Sequence, residues 1–243
     1  MDDSDKAAFS PSVDDLVPAA FLPTISLSAC FTAAVYKGRC SHMQTIILAS
    51  GSPRRKQLLE QVGIPCKIIV SGADENIQGP PNVQVQALAL RKAVAVRSTI
   101  SIKAEAAGST SDPNTVILAA DTLVYIDNKV LGKPATATEA FAMLKSLSNR
   151  CHTVYTGVAI LKGGESKVFV DSTNVYFRNL SDAEINAYIA TGEPFDKAGA
   201  YGVQDKGALL VDRVEGDYFT VVGLPIAKVA AALRDIGVEV WAQ

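Results

Sequence analysis

The feature that most constrains this chain is a strand–turn–helix unit written into residues 45–62, TIILASGSPRRKQLLEQV. Ile46-Ile47-Leu48-Ala49 is a short continuous apolar run, the pattern of a buried strand. Ser50-Gly51-Ser52 then forms a small-residue turn, and Pro53 opens a helix, where its missing N–H is no loss. Ser52 takes the N-cap position. Arg54, Arg55 and Lys56 crowd three cations into the first turn. That is the positive end of the helix dipole, where each cation costs about 0.3–1 kcal/mol. Departures from local preference gather at functional sites. Two readings are open on these residues alone. One is a solvated basic patch. The other is a polyanion across the helix N-terminus, held by backbone N–H groups, the serine hydroxyls of Ser50 and Ser52, and the guanidinium forks. The second is the simpler compensation for the misplaced charge.

The rest of the composition suits a small anionic ligand. Net charge is only −2 over 243 residues, so bulk charge does not drive nucleic-acid binding. Hydrophobic residues at 48% are enough for a full core, in one large domain or two small ones. No apolar run reaches the length of a membrane span. Cys30, Cys40, Cys66 and Cys151 are widely spaced with no C-x-x-C, and there are two histidines. That pattern argues against structural zinc and a disulfide framework, and for a reducing, cytoplasmic compartment. His152, in the β-like run CHTVYTGVAI, reads as a core or hydrogen-bonded histidine.

Residues 1–42 read as a flexible N-terminal extension ahead of a domain over 43–243. They start acidic and carry scattered Pro and Ser without a sustained period. The mildly apolar Ala19–Tyr36 stretch lacks the basic flank of a secretory signal. Within the domain, Cys66–Val70 is expected as a second strand, ending at Asp74-Glu75, and 82–107 as a long helix carrying Lys92, with Val85, Leu88, Val94 and Val96 apolar. Val116–Ala120 reads as a strand ending at Asp121-Thr122. Leu123–Ile126 and Val130–Leu131 then flank a turn at Asp127-Asn128-Lys129. A helix follows, capped by Thr136 or Thr138. Residues 151–161 and 167–178 form an antiparallel pair, and Ser181-x-x-Glu184 is a capping box. Residues 193–207 are loop-like, 208–223 short strands, and 224–236 a closing helix. Helices alternating with strands first, then hairpins, predict an α/β mixed sheet with a cleft between two lobes.

In open α/β sheets, ligands gather at the carboxyl ends of strands. The Ser-Arg-Arg turn, Asp74/Glu75 and Asp121 are all expected there. Carboxylates beside a phosphate cradle point to Mg²⁺, although Asp121, Asp74 and Glu75 taken singly also fit turn caps, and Lys92 a solvated lysine. Lys133, between Gly132 and Pro134, is presented by a turn at a strand edge. There is no Walker motif, no G-x-G-x-x-G and no G-x-S-x-G, which disfavours P-loop, dinucleotide and acyl-transfer chemistry. The residues alone reach a phosphorylated small molecule, bound with a metal and open to hydrolysis. They do not reach the base.

The chain resembles the Maf family of nucleoside triphosphate pyrophosphatases, also described as septum-formation inhibitors. The matching segments are LASGSPRRKQLL (48–59), AADT (119–122), GKP (132–134), TGVA (156–159), GEPFDKAGAYGVQ (192–204) and EGDYFTVVGLP (215–225). The resemblance implies a Maf/inosine-triphosphatase-like fold, an elongated curved mixed sheet with flanking helices and two lobes around a nucleotide cleft. It implies hydrolysis between the α and β phosphates, and the Asp121-Thr122 pair with the long loop is similar to the branch acting on dTTP and UTP, modified pyrimidine triphosphates included. By the same resemblance Ser50, Arg54 and Arg55 bind phosphate and Glu75 and Asp121 hold the metal, Mg²⁺ with Mn²⁺ or Co²⁺ as substitutes. Asp121 accepts the proton, and Lys92 and Lys133 assist catalysis. Arg54, Thr122 and Gln204 bear on base choice. A homodimer is the family's habit, and neither nucleic acid nor membrane is an expected partner. Where the family has Gly after the glutamine, this chain has Asp205-Lys206; if that turn needs a positive φ, Asp205 must adopt it. Two rivals share the cradle: a regulatory module that senses a nucleotide or controls division, and an enzyme clearing damaged purine triphosphates.

Overall fold

The computed structural model describes residues 46–240; the expected extension over 1–42, with Cys30 and Cys40, lies outside them. β1 (Ile46–Leu48) pairs in parallel with β2 (Cys66–Ile68) on one side and β3 (Val116–Ile126) on the other. β3 runs on past β1 and turns at Asp127-Asn128 into β4 (Lys129–Leu131). Both turn residues have positive φ, 50° and 58°, which a two-residue hairpin requires and Asp and Asn tolerate. β5 (Cys151–Lys162), β6 (Glu165–Phe177) and β7 (Val211–Glu215) extend the sheet antiparallel. The result is a seven-stranded mixed sheet of order β2-β1-β3-β5-β6-β7, with β4 beside β3.

Six α-helices flank the sheet among the described residues: α1 (Pro53–Gln61), α2 (Pro81–Ala106), α3 (Ala137–Leu147), α4 (Asp182–Ala190), α5 (Tyr218–Val222) and α6 (Ile226–Asp235). Thr136 caps α3 by accepting from Glu139 N, and the Ser181/Glu184 capping box of α4 is complete. Ser52 occupies the N-cap position of α1, but its side chain makes no capping bond. On α2, Val85, Leu88 and Val96 are buried, whereas Val94 is exposed.

Side-chain alternation along the strands builds three apolar clusters. Odd-numbered positions Ile117 and Ala119 of β3, with Ala159 and Leu161 of β5, face Ala89, Ala93 and Val96 of α2. Small residues on both surfaces let this helix lie close to the sheet. Even-numbered positions face the other way and split into two groups. Val116, Leu118, Ala120, Val158 and Ile160 pack under α1 and α6, against Leu58, Leu59, Val229 and Leu233. Val124, Ile126 and Val154 pack under α3 and α4, against Leu144, Leu147 and Ile185. Each fully buried Leu, Ile or Val contributes about 1.5–3 kcal/mol. Between the two groups, in register, stand Thr122 and Thr156.

Two expected elements differ. Asp121-Thr122 does not end a strand: β5 pairs with β3 without a break from Val116 to Tyr125, so the ladder carries the polar pair through. Of the residues expected as short strands over 208–223, only 211–215 are strand: 205–210 form a 3₁₀-helix and 218–222 an α-helix, despite the β-branched YFTVV. The Asp217 carboxylate accepts from Phe219 N at 2.9 Å, and Gly223 stops the helix at φ 117°. Capping at both ends overrides residue preference.

His152 is 2% exposed, hydrogen-bonded through Nε2 to the Tyr201 hydroxyl at 2.7 Å and packed edge-on against Phe177. Burial pushes its pKa down to about 4. The folded value lies below the unfolded one, near 6.5, so the neutral ring stabilises the fold in full above that pH. As pH falls from 6.5 through about 4, the unfolded chain takes the proton first and stability drops. The loss expected from this ring is about 3 kcal/mol. Urea unfolding from neutral pH down to pH 4, wild type against His152→Gln, reads it as a steeper decline in the wild type. Parallel profiles would remove His152 as the cause.

Candidate active site

One edge of β3 is paired to β5 along nearly its whole length. On the other edge β1 pairs only as far as Leu48↔Leu118, and β4 begins at Val124↔Leu131. Residues 119–123 are therefore left without a strand neighbour on that edge. A cleft of about 710 Å³ opens at this gap and is lined from both faces of the sheet. It reaches Asp121, which points toward α2, and Thr122, which points toward α1 and α5. Ten of the residues considered for the site line it: Ser50, Ser52, Arg54, Arg55, Glu75, Lys92, Asp121, Thr122, Lys133 and Gln204. Asp74 does not; it pairs with Arg91 at 3.6 Å on the exposed side of α2.

The three misplaced cations of α1 separate. Lys56 faces solvent and pairs with Glu60 at 3.2 Å. Arg54 reaches Asp196 in the 193–196 turn at 2.9 Å. Arg55 turns inward and distributes its fork over three segments: Nη1 to Ser50 Oγ at 2.9 Å, Nη2 to Thr122 Oγ1 at 3.0 Å, and Nε to the Gly223 carbonyl at 2.8 Å. Burial pulls its pKa below the ordinary arginine value, opposed by the Asp121 charge. A solvated basic patch does not describe this arrangement. Three of the five guanidinium N–H groups are spent on protein, so Arg55 shapes the cradle as well as facing it. Ser50 is buried and accepts from both Arg55 and Ser52 N, which leaves its own proton to donate.

Across the gap, the Lys92 ammonium lies 2.6 Å from Asp121 Oδ1 and 2.7 Å from Glu75 Oε1. The hydrogen bond from Lys92 holds the Glu75 carboxyl below the usual glutamate range. Lys92 and Asp121 side chains are 12% and 14% exposed, Glu75 65%. Lys92 is no solvated helix lysine. α2 delivers it because the helix crosses β5 at Gly157, the residue paired with Asp121. A Cβ there would come within 2.3 Å of the Val85 backbone. The Gly132 turn, which carries the exposed Lys133, is tied to the far loop by Gly199 N donating to Gly132 O at 2.9 Å.

The far wall is built by 196–204. Val203 and Tyr201 are buried, and Gln204 is half-buried at the cleft. Asp205 does adopt a positive φ, 53°, as the turn after Gln204 required. Gly207 beside it has no room for a side chain, since a Cβ would overlap the Gly202 carbonyl.

The family model described as Maf-like protein matches residues 45–236 of this sequence. The chain belongs to the Maf family. Among Maf relatives, a protein named dTTP/UTP pyrophosphatase from Moorella thermoacetica is 49% identical over 203 residues, spanning 82% of this chain and 98% of that one. A second of the same name, from Bacillus cereus, is 46% identical over 200 residues, with the same coverage.

Three residues that shape this Maf cleft fall in the matching segments but were given no role in the sequence reading. Asp196 holds Arg54, Gly157 seats α2, and Thr156 hydrogen-bonds Thr122 at 2.9 Å. Thr156 had a readable signal. It breaks an alternating apolar series at the register of Thr122, which only strand pairing reveals.

Proposed function

We propose that this chain hydrolyses a nucleoside triphosphate, dTTP or UTP foremost, to the monophosphate and pyrophosphate. The observation that carries the reading is the meeting, in one cleft, of the Ser50–Arg55 anion cradle with the Lys92-bridged carboxylates Glu75 and Asp121. The relatives' names supply the base.

A divalent cation fits these residues. Two carboxylates already share one point of positive charge, the Lys92 ammonium. One or two carboxylates plus phosphate oxygens and water is the donor set Mg²⁺ prefers, and Mn²⁺ or Co²⁺ would accept it. Among the described residues no His, Cys, Asp or Glu cluster of three forms, so the substrate phosphates would complete the shell. When bound, the ion would neutralise phosphate charge and acidify a water.

The chain's own groups account for the rest. Ser50 donates its free proton to a phosphate oxygen. Arg54 exchanges Asp196 for phosphate, while Lys92 and Lys133 offset the charge that builds on departing pyrophosphate. Asp121 takes the proton of the attacking water. Gln204 offers a donor and an acceptor in one plane to the O4/N3 edge of uracil or thymine, between the apolar walls of Val124, Val154 and Val203. A cytoplasmic homodimer belongs to the same proposal on the family's habit, and light scattering of the full chain reads the assembly.

Pyrophosphate release from a panel of triphosphates tests the function. dTTP and UTP are expected to exceed the purine triphosphates by tenfold or more in kcat/KM. Release from none of them, or a purine preference, overturns the assignment.

A further inference from the structure

The hydroxyl groups behind Arg55 have only one consistent arrangement of protons. Thr156, fully buried, has its Oγ1 2.8 Å from the Thr220 carbonyl oxygen. A carbonyl cannot donate, so Thr156 does, and its single proton is spent. Its 2.9 Å contact with Thr122 Oγ1 then has to be a bond donated by Thr122. Thr122 also accepts from Arg55 Nη2. Of the three hydrogen-bonding positions on the Thr122 hydroxyl, the proton and one lone pair are therefore occupied by protein. One lone pair is left for the cleft that Thr122 lines.

The Thr220 carbonyl needs Thr156. α5 is five residues long, and both Gly223 N and Leu224 N bond the Phe219 carbonyl instead. The Thr220 hydroxyl is fixed from behind by Asp171 Oδ2 at 2.8 Å, and Asp171 by Lys228 at 2.7 Å. The chain of bonds is anchored at its far end and cannot reverse.

We propose that Thr156 is a positioning residue that determines specificity: through Thr122 it makes the cleft an obligate acceptor at this point, so the group of the substrate read there must be an N–H or O–H donor of the nucleoside. This rests on the function proposed above. Ser50 is the complement, an obligate donor at the phosphate end, and Arg55 bonds both hydroxyls. Two parts of a pyrimidine nucleotide carry such a donor, the base imide N3–H and the sugar hydroxyls.

The test compares kcat/KM for UTP, N3-methyl-UTP and 3′-deoxy-UTP in wild type, Thr156→Ser and Thr156→Val. In the wild type, loss of the donor that Thr122 reads costs at least about tenfold, because a buried acceptor is left unpaired. A loss confined to N3-methyl-UTP identifies the base, and one confined to 3′-deoxy-UTP the sugar. Thr156→Ser keeps the pattern. In Thr156→Val the Thr122 proton is freed to rotate, and the penalty shrinks to under threefold, whatever happens to the absolute rate. Comparing this ratio between Thr156→Val and the wild type also cancels any steric burden of the added methyl group. Equal turnover of all three nucleotides by the wild type overturns the proposal, as does a penalty unchanged in Thr156→Val. If the valine variant does not fold, Thr156→Ala, which also lacks the hydroxyl, takes its place in the comparison. Absence of turnover with UTP itself would instead overturn the parent assignment.

Discussion

Replacing Asp121 with Asn will lower turnover by about 10²–10⁴-fold, the range a general base supplies, and leave nucleotide binding within a few-fold of wild type. The substitution keeps the side chain's shape and removes its charge and basicity. The fold should tolerate it, because Lys92 retains Glu75 at 2.7 Å and is not left as an unpaired buried cation. Ser50 and Arg55 on the other side of the gap do not touch Asp121 directly, since Arg55 bonds Ser50, Thr122 and Gly223. Turnover by pyrophosphate release and affinity by calorimetry, on the same preparation, separate the two effects. Wild-type turnover in Asp121→Asn takes that carboxylate out of the proton-transfer role. A collapse in affinity together with turnover makes it chiefly a binding group.

The second large effect comes from a residue that touches no substrate. Gly157→Ala is expected to cost about 3 kcal/mol of stability, at the upper end of what overpacking does, and about 10²-fold in kcat. An added methyl carbon would lie 2.3 Å from the carbonyl carbon and oxygen of Val85 and 2.6 Å from Gln86 N. These are backbone atoms of α2, so no side-chain rotation relieves the overlap, and the helix must retreat from β5. Lys92 lies seven residues further along the same helix, about two turns, and its contacts at 2.6 and 2.7 Å to Asp121 and Glu75 cannot survive a shift of that size. Urea unfolding and steady-state kinetics on Gly157→Ala measure both losses. Activity within threefold of wild type would show that α2 is not seated through this contact.

These two expectations rest on different levels of the molecule. Asp121 was legible in the linear sequence, as an acid at the end of an apolar run and in the AADT segment. So were the Ser50–Arg55 turn and the capping box at Ser181. In each case the signal is local: a cap, a turn residue, an apolar period or a cation at the wrong end of a helix states its requirement within a few positions. Tertiary structure decided what depends on register and on packing between distant segments. It continued β3 through Asp121-Thr122, because the partner strand β5 supplies a ladder that the polar pair alone does not announce. The 218–222 helix stands apart, because its cap at Asp217 and its stop at Gly223 are local signals that outweigh β-branched preference and were open to sequence reading.

The same division explains the three residues missed at the cleft. Gly157 has no positive φ and breaks no local rule. Its need to be glycine comes from the backbone of a helix that passes over it from far earlier in the chain. Asp196 acquires its meaning only when Arg54, 142 positions distant, arrives 2.9 Å away. Thr156 matters because strand pairing places it opposite Thr122 and folding brings an unsatisfied Thr220 carbonyl to it. The sequence by itself determined which segments are apolar, where they turn and which charges stand out of place. The register and close approaches between those segments, and so the direction each hydroxyl points, were left to the folded chain, because hydrogen bonds and steric contacts between distant residues exist only once the backbone has closed around them.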